Sequence, residues 1–199
     1  MQSTIEMFRL NAERVRHLCG LYDAICALTT SAIDSSDLLR AQIVLSVSAL
    51  DFYVHEVTVR GMVQVFEGAR PPTNSFKKQK VSGGLLLGSS SNALTAFEND
   101  VRERHSFLSF QQPEKIADAI RLFYDKPLWP AVSSLMSRSE ESIKGQLSLI
   151  VQRRNKIAHE ADADPSYPGA RWPISRQDAT TSLNFIVELC EAIHKTIED

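Results

Sequence analysis

The chain has 199 residues, 43% hydrophobic and 23% charged, with a formal net charge of -2 at pH 7. That is ample for one well-packed globular domain covering residues 1–199, of ordinary soluble composition. The near-neutral balance excludes a global attraction to nucleic acid or anionic membrane, so any polyanion must be held by a local cluster.

Three cysteines, Cys19, Cys26 and Cys190, form an odd set without CxxC or metal-ligand spacing. They read as small buried hydrophobes in a reducing cytosol, not as a disulfide framework or a zinc site. The opening "MQSTIEMFRLNAERVR" contains acidic residues and no apolar core, which argues against a signal peptide. Ser3 and Glu6 form a capping box, and Ile5, Phe8, Val15, Leu18, Tyr22 and Ile25 then repeat at helical spacing to about Thr29. Several N-caps in "IDSSD" open a second helix from Leu38 to about Phe66, stopped by Gly68 and Pro71. It includes the most hydrophobic segment, "AQIVLSVSALDFYVHEVTV", which Asp51, His55 and Glu56 interrupt. This is expected to be a central core helix, with no membrane span.

The segment Gly68 to Gly88 combines turn formers with Lys77, Lys78 and Lys80 and reads as a loop with at most a short helix. Two shorter helices follow, one within "NALTAFENDVRERHSFL" and one within "QQPEKIADAIRLFYDK", where Pro113 fits the first turn. "PLWPAVSSLMSRS" suggests a turn and a brief helix. Ser139 with Ser142, and Glu140 and Glu141 in the first turn, opens a third long helix. "ADADPSYPGARWP" is a loop by composition. Ser175 and Asp178 then cap a last helix carried by Leu183, Ile186, Val187, Cys190, Ile193 and Ile197. No strand-like alternation or repeat appears, so the expected fold is all-α: an up-and-down bundle of four long helices with shorter inserted helices.

Within the third long helix, "LSLIVQRRNKIAHEADADP" poses a problem. Leu147, Ile150, Val151, Ile157, Ala158 and Ala161 define an apolar stripe, and Arg154 falls near its centre. A charge there needs a partner or a function. One reading is a salt bridge to Asp51 or Glu56 on the second helix. The other is an anion site: Asn155 and His159 are neighbours four residues apart, and Arg154 can lean across to meet them. Arginine offers donors suited to phosphate, and histidine can take and give a proton near neutrality, which suggests phosphodiester cleavage. The R-x-x-x-x-H spacing alone is weak.

"RRNKIAHEAD" resembles the signature of HEPN domains, an arginine, a polar residue often asparagine, three variable residues and a histidine. Arg154, Asn155 and His159 match it in order. Together with "LRAQIVLSVSALDFYVHEVTVRGM" and "RWPISRQDATTSLNFIVELCEAIHKTI", the ordered blocks are similar to the RiboL-PSP-HEPN branch over nearly the whole chain. The lysine-rich insertion of residues 68–88 matches least well. The resemblance implies a homodimer whose signature helices meet near a twofold axis, concentrating positive charge in a shared cleft. It implies a metal-independent endoribonuclease needing no cofactor, and the cysteine usage places it in the cytoplasm. Arg154, Asn155 and His159 would be its catalytic residues, RNA its substrate, and a toxin or defence role with a neutralising or regulatory protein partner its setting. The same family also contains binding or assembly modules without turnover, which hold nucleotide, RNA or a partner protein.

Other residues carry two readings each. Asp51 and His55, four apart, either support the site or make a satisfied polar contact within the bundle. Arg153 either touches RNA backbone or is solvated on the polar face. Lys77, Lys78 and Lys80 either contact phosphates or line a solvated loop. Arg102, Arg104 and His105 make a small basic cluster that either meets a substrate strand or marks a solvated face. Glu160 points about 100° away from His159 and is expected in solvent. Trp129 and Trp172, each beside a proline, read as packing or loop anchors.

Overall fold

The computed structural model describes residues 3–30, 32–83 and 92–198. Over these residues the chain forms eight helices: α1 (Thr4–Leu28), α2 (Ser36–Phe66), α3 (Asn74–Lys77), α4 (Ala93–His105), α5 (Pro113–Ile120), α6 (Leu128–Met136), α7 (Glu140–Glu160) and α8 (Arg176–Glu198). The only strand-type pairing among them is an isolated bridge between Ala163 and Arg171. The fold is all-α, with four long helices and the shorter ones inserted between α2 and α7. Among the described residues no helix is long and apolar enough to cross a membrane. The end of the lysine-rich insertion, including Gly88, lies outside the described residues.

Local chemistry sets the helix starts. Ser3 Oγ accepts from the Glu6 N–H at 3.3 Å while the Glu6 carboxylate accepts from the Ser3 N–H at 2.8 Å, closing the expected capping box. Ser139 Oγ accepts from the Ser142 N–H at 3.2 Å, and Glu140 and Glu141 sit in the first turn of α7, where the helix dipole favours them. Ser175 and Asp178 exchange the same reciprocal bonds at the start of α8, at 3.1 and 2.9 Å.

The second helix occupies the centre. α2 packs against α1, α4, α5, α7 and α8, and its buried residues run from Leu39 to Val65. Phe8 and Tyr53 meet with ring centroids 5.4 Å apart in the main core, which also takes in Leu147, Val151, Ile186 and Leu189. Each fully buried side chain of this size contributes roughly 1.5–3 kcal/mol of hydrophobic stabilisation. The inserted helices reach α2 through a glycine: a Cβ on Gly61 would lie 2.2 Å from the Phe123 ring, so only glycine lets that ring lie against the helix. Cys19 and Cys190 are buried as expected, but Cys26 is exposed, because the end of α1 runs past the core.

The apolar stripe of α7 ends sooner than its sequence suggests. Ile143, Leu147, Ile150 and Val151 are buried, whereas Ile157 is half-buried and Ala158 and Ala161 are exposed. The last two turns of α7 therefore project beyond the main core, and they carry Arg154, Asn155 and His159.

Candidate active site

Arg154 emerges where the stripe loses its cover. It is half-buried, and one guanidinium nitrogen donates to Asn155 Oδ1 at 2.8 Å. The long side chain thus leans across the helix as its reach allows. Among the described residues it pairs with no carboxylate, and its buried Nε has no hydrogen-bond partner. The salt-bridge reading is thereby corrected. Asp51 accepts instead from the Phe110 N–H at 2.6 Å and from Gln111 Nε2 at 3.0 Å, and Glu56 is taken by Arg102 at 2.5 Å.

His159 lies one turn beyond Asn155, in the last turn of α7, with its imidazole exposed. Lys156, one turn before His159 on the outer face, rests its ammonium 5.0 Å from the centroid of the Trp172 ring. Arg154 and Lys156 are thus two cations on one helix end that no carboxylate of the described residues neutralises. Such an end suits an anion, and the exposed imidazole beside it can exchange protons with whatever binds.

Behind this surface sits a buried ionic cluster. Asp162 is fully buried, and its Oδ2 accepts from Arg40 Nε at 2.7 Å and from Arg153 at 2.8 Å. Arg40, on α2, also donates to Ser36 Oγ at 2.6 Å and to the Trp172 carbonyl at 2.9 Å. Arg153 donates further to the carbonyls of Trp172 and Pro173, at 3.3 and 3.1 Å. The loop after α7 is tied down again where Arg171 bridges Asp34, at 2.8 Å, and Asp37. At the start of α8, Arg176 forks onto Asp23 with two 2.8 Å bonds, which hold that carboxyl below its usual range.

The RiboL-PSP-HEPN family model matches residues 9–199. The chain belongs to the RiboL-PSP-HEPN family. No curated protein and no solved structure matches it. Membership of a HEPN family suggests a nuclease or other RNA-related function, and Arg154, Asn155 and His159, which resemble the HEPN signature, lie in the last two turns of α7.

The structure brings fewer of the predicted supporting residues to this helix end. Arg153 does not reach towards solvent, because Asp162 and two carbonyls hold it. Asp51 and His55 serve a different place: His55 Nε2 lies 3.2 Å from the Leu108 carbonyl, so the pair fastens the segment between α4 and α5. Asp51 is eleven residues past Arg40 on α2, about 16 Å along the axis at 1.5 Å per residue. Lys77, Lys78 and Lys80 are exposed beside α3, which packs through Phe76 on the cluster of Val59, Met62, Phe97 and Val101 near the far end of α2. Within one chain they stand roughly 30 Å from the signature, by the same helix rise.

Sequence reading missed Arg40 and Asp162. Arg40 was signalled as a lone charge opening a long apolar run, and Asp162 as an acid three residues beyond the signature histidine. Their partnership joins residues 122 positions apart, which no local pattern encodes. Trp129 and Trp172 do act as anchors: Trp129 is buried in the core, and Trp172 underlies Lys156.

Proposed function

We propose that this protein is a metal-independent endoribonuclease acting in the cytoplasm as a homodimer, with RNA as substrate. The observation that carries the reading is Arg154: half-buried, free of any carboxylate among the described residues, steadied by Asn155 and five residues before an exposed histidine. A structural arginine so placed would have an ion-pair partner. The outer face of α7 also presents Leu149, 67% exposed, with Gln152 and His159 following along it. That apolar start to the face supports pairing of two signature helices, which would set two copies of the site in one groove.

In the reaction, the ribose 2′-hydroxyl attacks the adjacent phosphorus and the bond from phosphorus to the 5′-oxygen breaks. His159 takes the 2′-hydroxyl proton, and His159 of the second copy gives a proton to the departing oxygen. Arg154 stabilises the extra negative charge of the pentacoordinate transition state, and Asn155 holds the guanidinium in place. The products are a 2′,3′-cyclic phosphate and a 5′-hydroxyl. DNA, lacking the attacking hydroxyl, is left intact.

The test is incubation of RNA with wild type, His159→Ala and Arg154→Ala in EDTA, followed by end-group analysis. Wild type is expected to leave cyclic phosphate ends. His159→Ala should lose about 10²–10⁴-fold and Arg154→Ala about 10²–10³-fold. Equal behaviour of all three as folded proteins sinks the nuclease reading and leaves a binding or assembly module. A toxin or defence role, with a neutralising or regulatory protein, predicts that wild type slows growth of a sensitive host while Arg154→Ala does not.

A further inference from the structure

We propose that Asp162 is a positioning residue, which sets the direction of the His159 imidazole and of Arg154 through a clamp with Arg40 and Arg153. The kinetic part of this inference rests on the ribonuclease reading. Its structural part does not.

The end of a helix leaves its last carbonyls without partners and tends to fray. His159 sits there, in the last turn of α7. The chain counters fraying by turning back sharply, so that the Asp162 N–H donates to the Lys156 carbonyl at 3.0 Å. This path places Ala161 and Asp162 in the left-handed region, at φ 52° and 58°, and neither is glycine. Such a conformation persists only where its surroundings enforce it. Here the enforcing group is the Asp162 carboxylate, with Arg40 Nε of α2 at 2.7 Å and Arg153 at 2.8 Å. The Asp162 carbonyl also accepts from the Trp172 N–H at 2.9 Å.

The two anchors bracket the signature. Arg153 immediately precedes Arg154, and Asp162 follows His159 by three residues. Joining them to each other and to α2 fixes both the rotation of the helix about its axis and the path of its last turn. Asp162 itself is fully buried and touches no reacting atom. Its contribution is orientation, and misplacement of a catalytic group by about 1 Å costs on the order of 10²-fold.

The experiment compares wild type with Asp162→Asn, which keeps the shape and removes the charge, and with Arg40→Lys, which keeps the charge and removes the fork. Each is assayed for RNA cleavage at a temperature where circular dichroism shows it folded, and for amide hydrogen exchange. We expect kcat to fall about 10–100-fold with KM within about twofold. Exchange at His159, Glu160 and Ala161 should quicken about tenfold or more, while α2 and α8 keep their protection. If Asp162→Asn does not fold, Arg40→Lys carries the same test. Unchanged kcat and unchanged exchange in the last turn overturn the proposal, as does exchange that quickens equally throughout the bundle. If wild type itself does not cleave RNA, the ribonuclease reading falls, and exchange alone decides the role of Asp162.

Discussion

Two short runs of this chain hold the same ingredients, two arginines and a histidine: Arg102, Arg104 and His105 at the end of α4, and Arg153, Arg154 and His159 at the end of α7. In the first, every charge is answered. Arg102 lies between Glu56 and Glu98, at 2.5 and 2.9 Å, and Arg104 pairs with Asp100 at 2.9 Å. His105 is buried against Phe110, and loss of solvation, with Arg104 and His55 nearby, pushes its pKa down to about 4. In the second, Arg153 alone is neutralised, Arg154 keeps its charge, and His159 faces outward. The difference lies in which carboxylates the neighbouring helices bring. The first run is a fastening, its arginines spent on carboxylates of the bundle. The second leaves cationic and proton-transferring groups unspent at a surface.

The sharpest way to break the second run is to remove its anchor. Asp162→Ala removes the buried counter-ion of Arg40, whose side chain is 7% exposed, and leaves it only the solvent-exposed Asp37 at 3.7 Å. We expect a loss of about 3–5 kcal/mol, read by chemical denaturation. A loss below about 1 kcal/mol would show that the clamp is not the buried ion pair described.

The first run should report itself through pH. Folding holds His105 neutral with its pKa lowered from 6.5 to about 4, so between these values the unfolded chain binds the extra proton. His105 thus favours the fold fully above about pH 6.5, and that contribution drains away as pH falls towards 4. The effect is on the order of 2 kcal/mol. Denaturation of wild type and His105→Gln across this window checks it: the variant should lose less stability on acidification.

The smallest effects separate stability from activity. Arg102→Ala removes two partly exposed ion pairs and should cost only about 1 kcal/mol. Arg154→Ala, which removes no ion pair, should cost less than about 1 kcal/mol, yet lower cleavage about 10²–10³-fold. Thermal denaturation of both variants beside the cleavage assay tests the contrast. A large loss of stability in Arg154→Ala would favour a structural role.

Much of the fold was legible because its signals are local. Ser3 with Glu6, Ser139, and Ser175 with Asp178 mark helix starts within four residues of sequence, and the unbroken apolar content of α2 marks its central place. The site was legible in part, since Arg154 breaks an apolar stripe. What stayed hidden depends on partners distant in sequence. Helical periodicity assigns Arg153 to a face but cannot say that Asp162 and two carbonyls wait there. Nor can it say that Asp51 and His55 fasten the segment after α4, or that the lysines near α3 belong to the opposite end of the bundle.

Ala161 and Asp162 bear on how the molecule could be tuned. Glycine at Ala161 would relax the left-handed turn and widen the arc through which the chain behind His159 can swing. A side chain there narrows that arc. The signature helix consequently ends in a stiff elbow in place of a hinge, and substitutions that tighten or slacken this elbow offer a graded control over the proposed active surface without altering a residue on it.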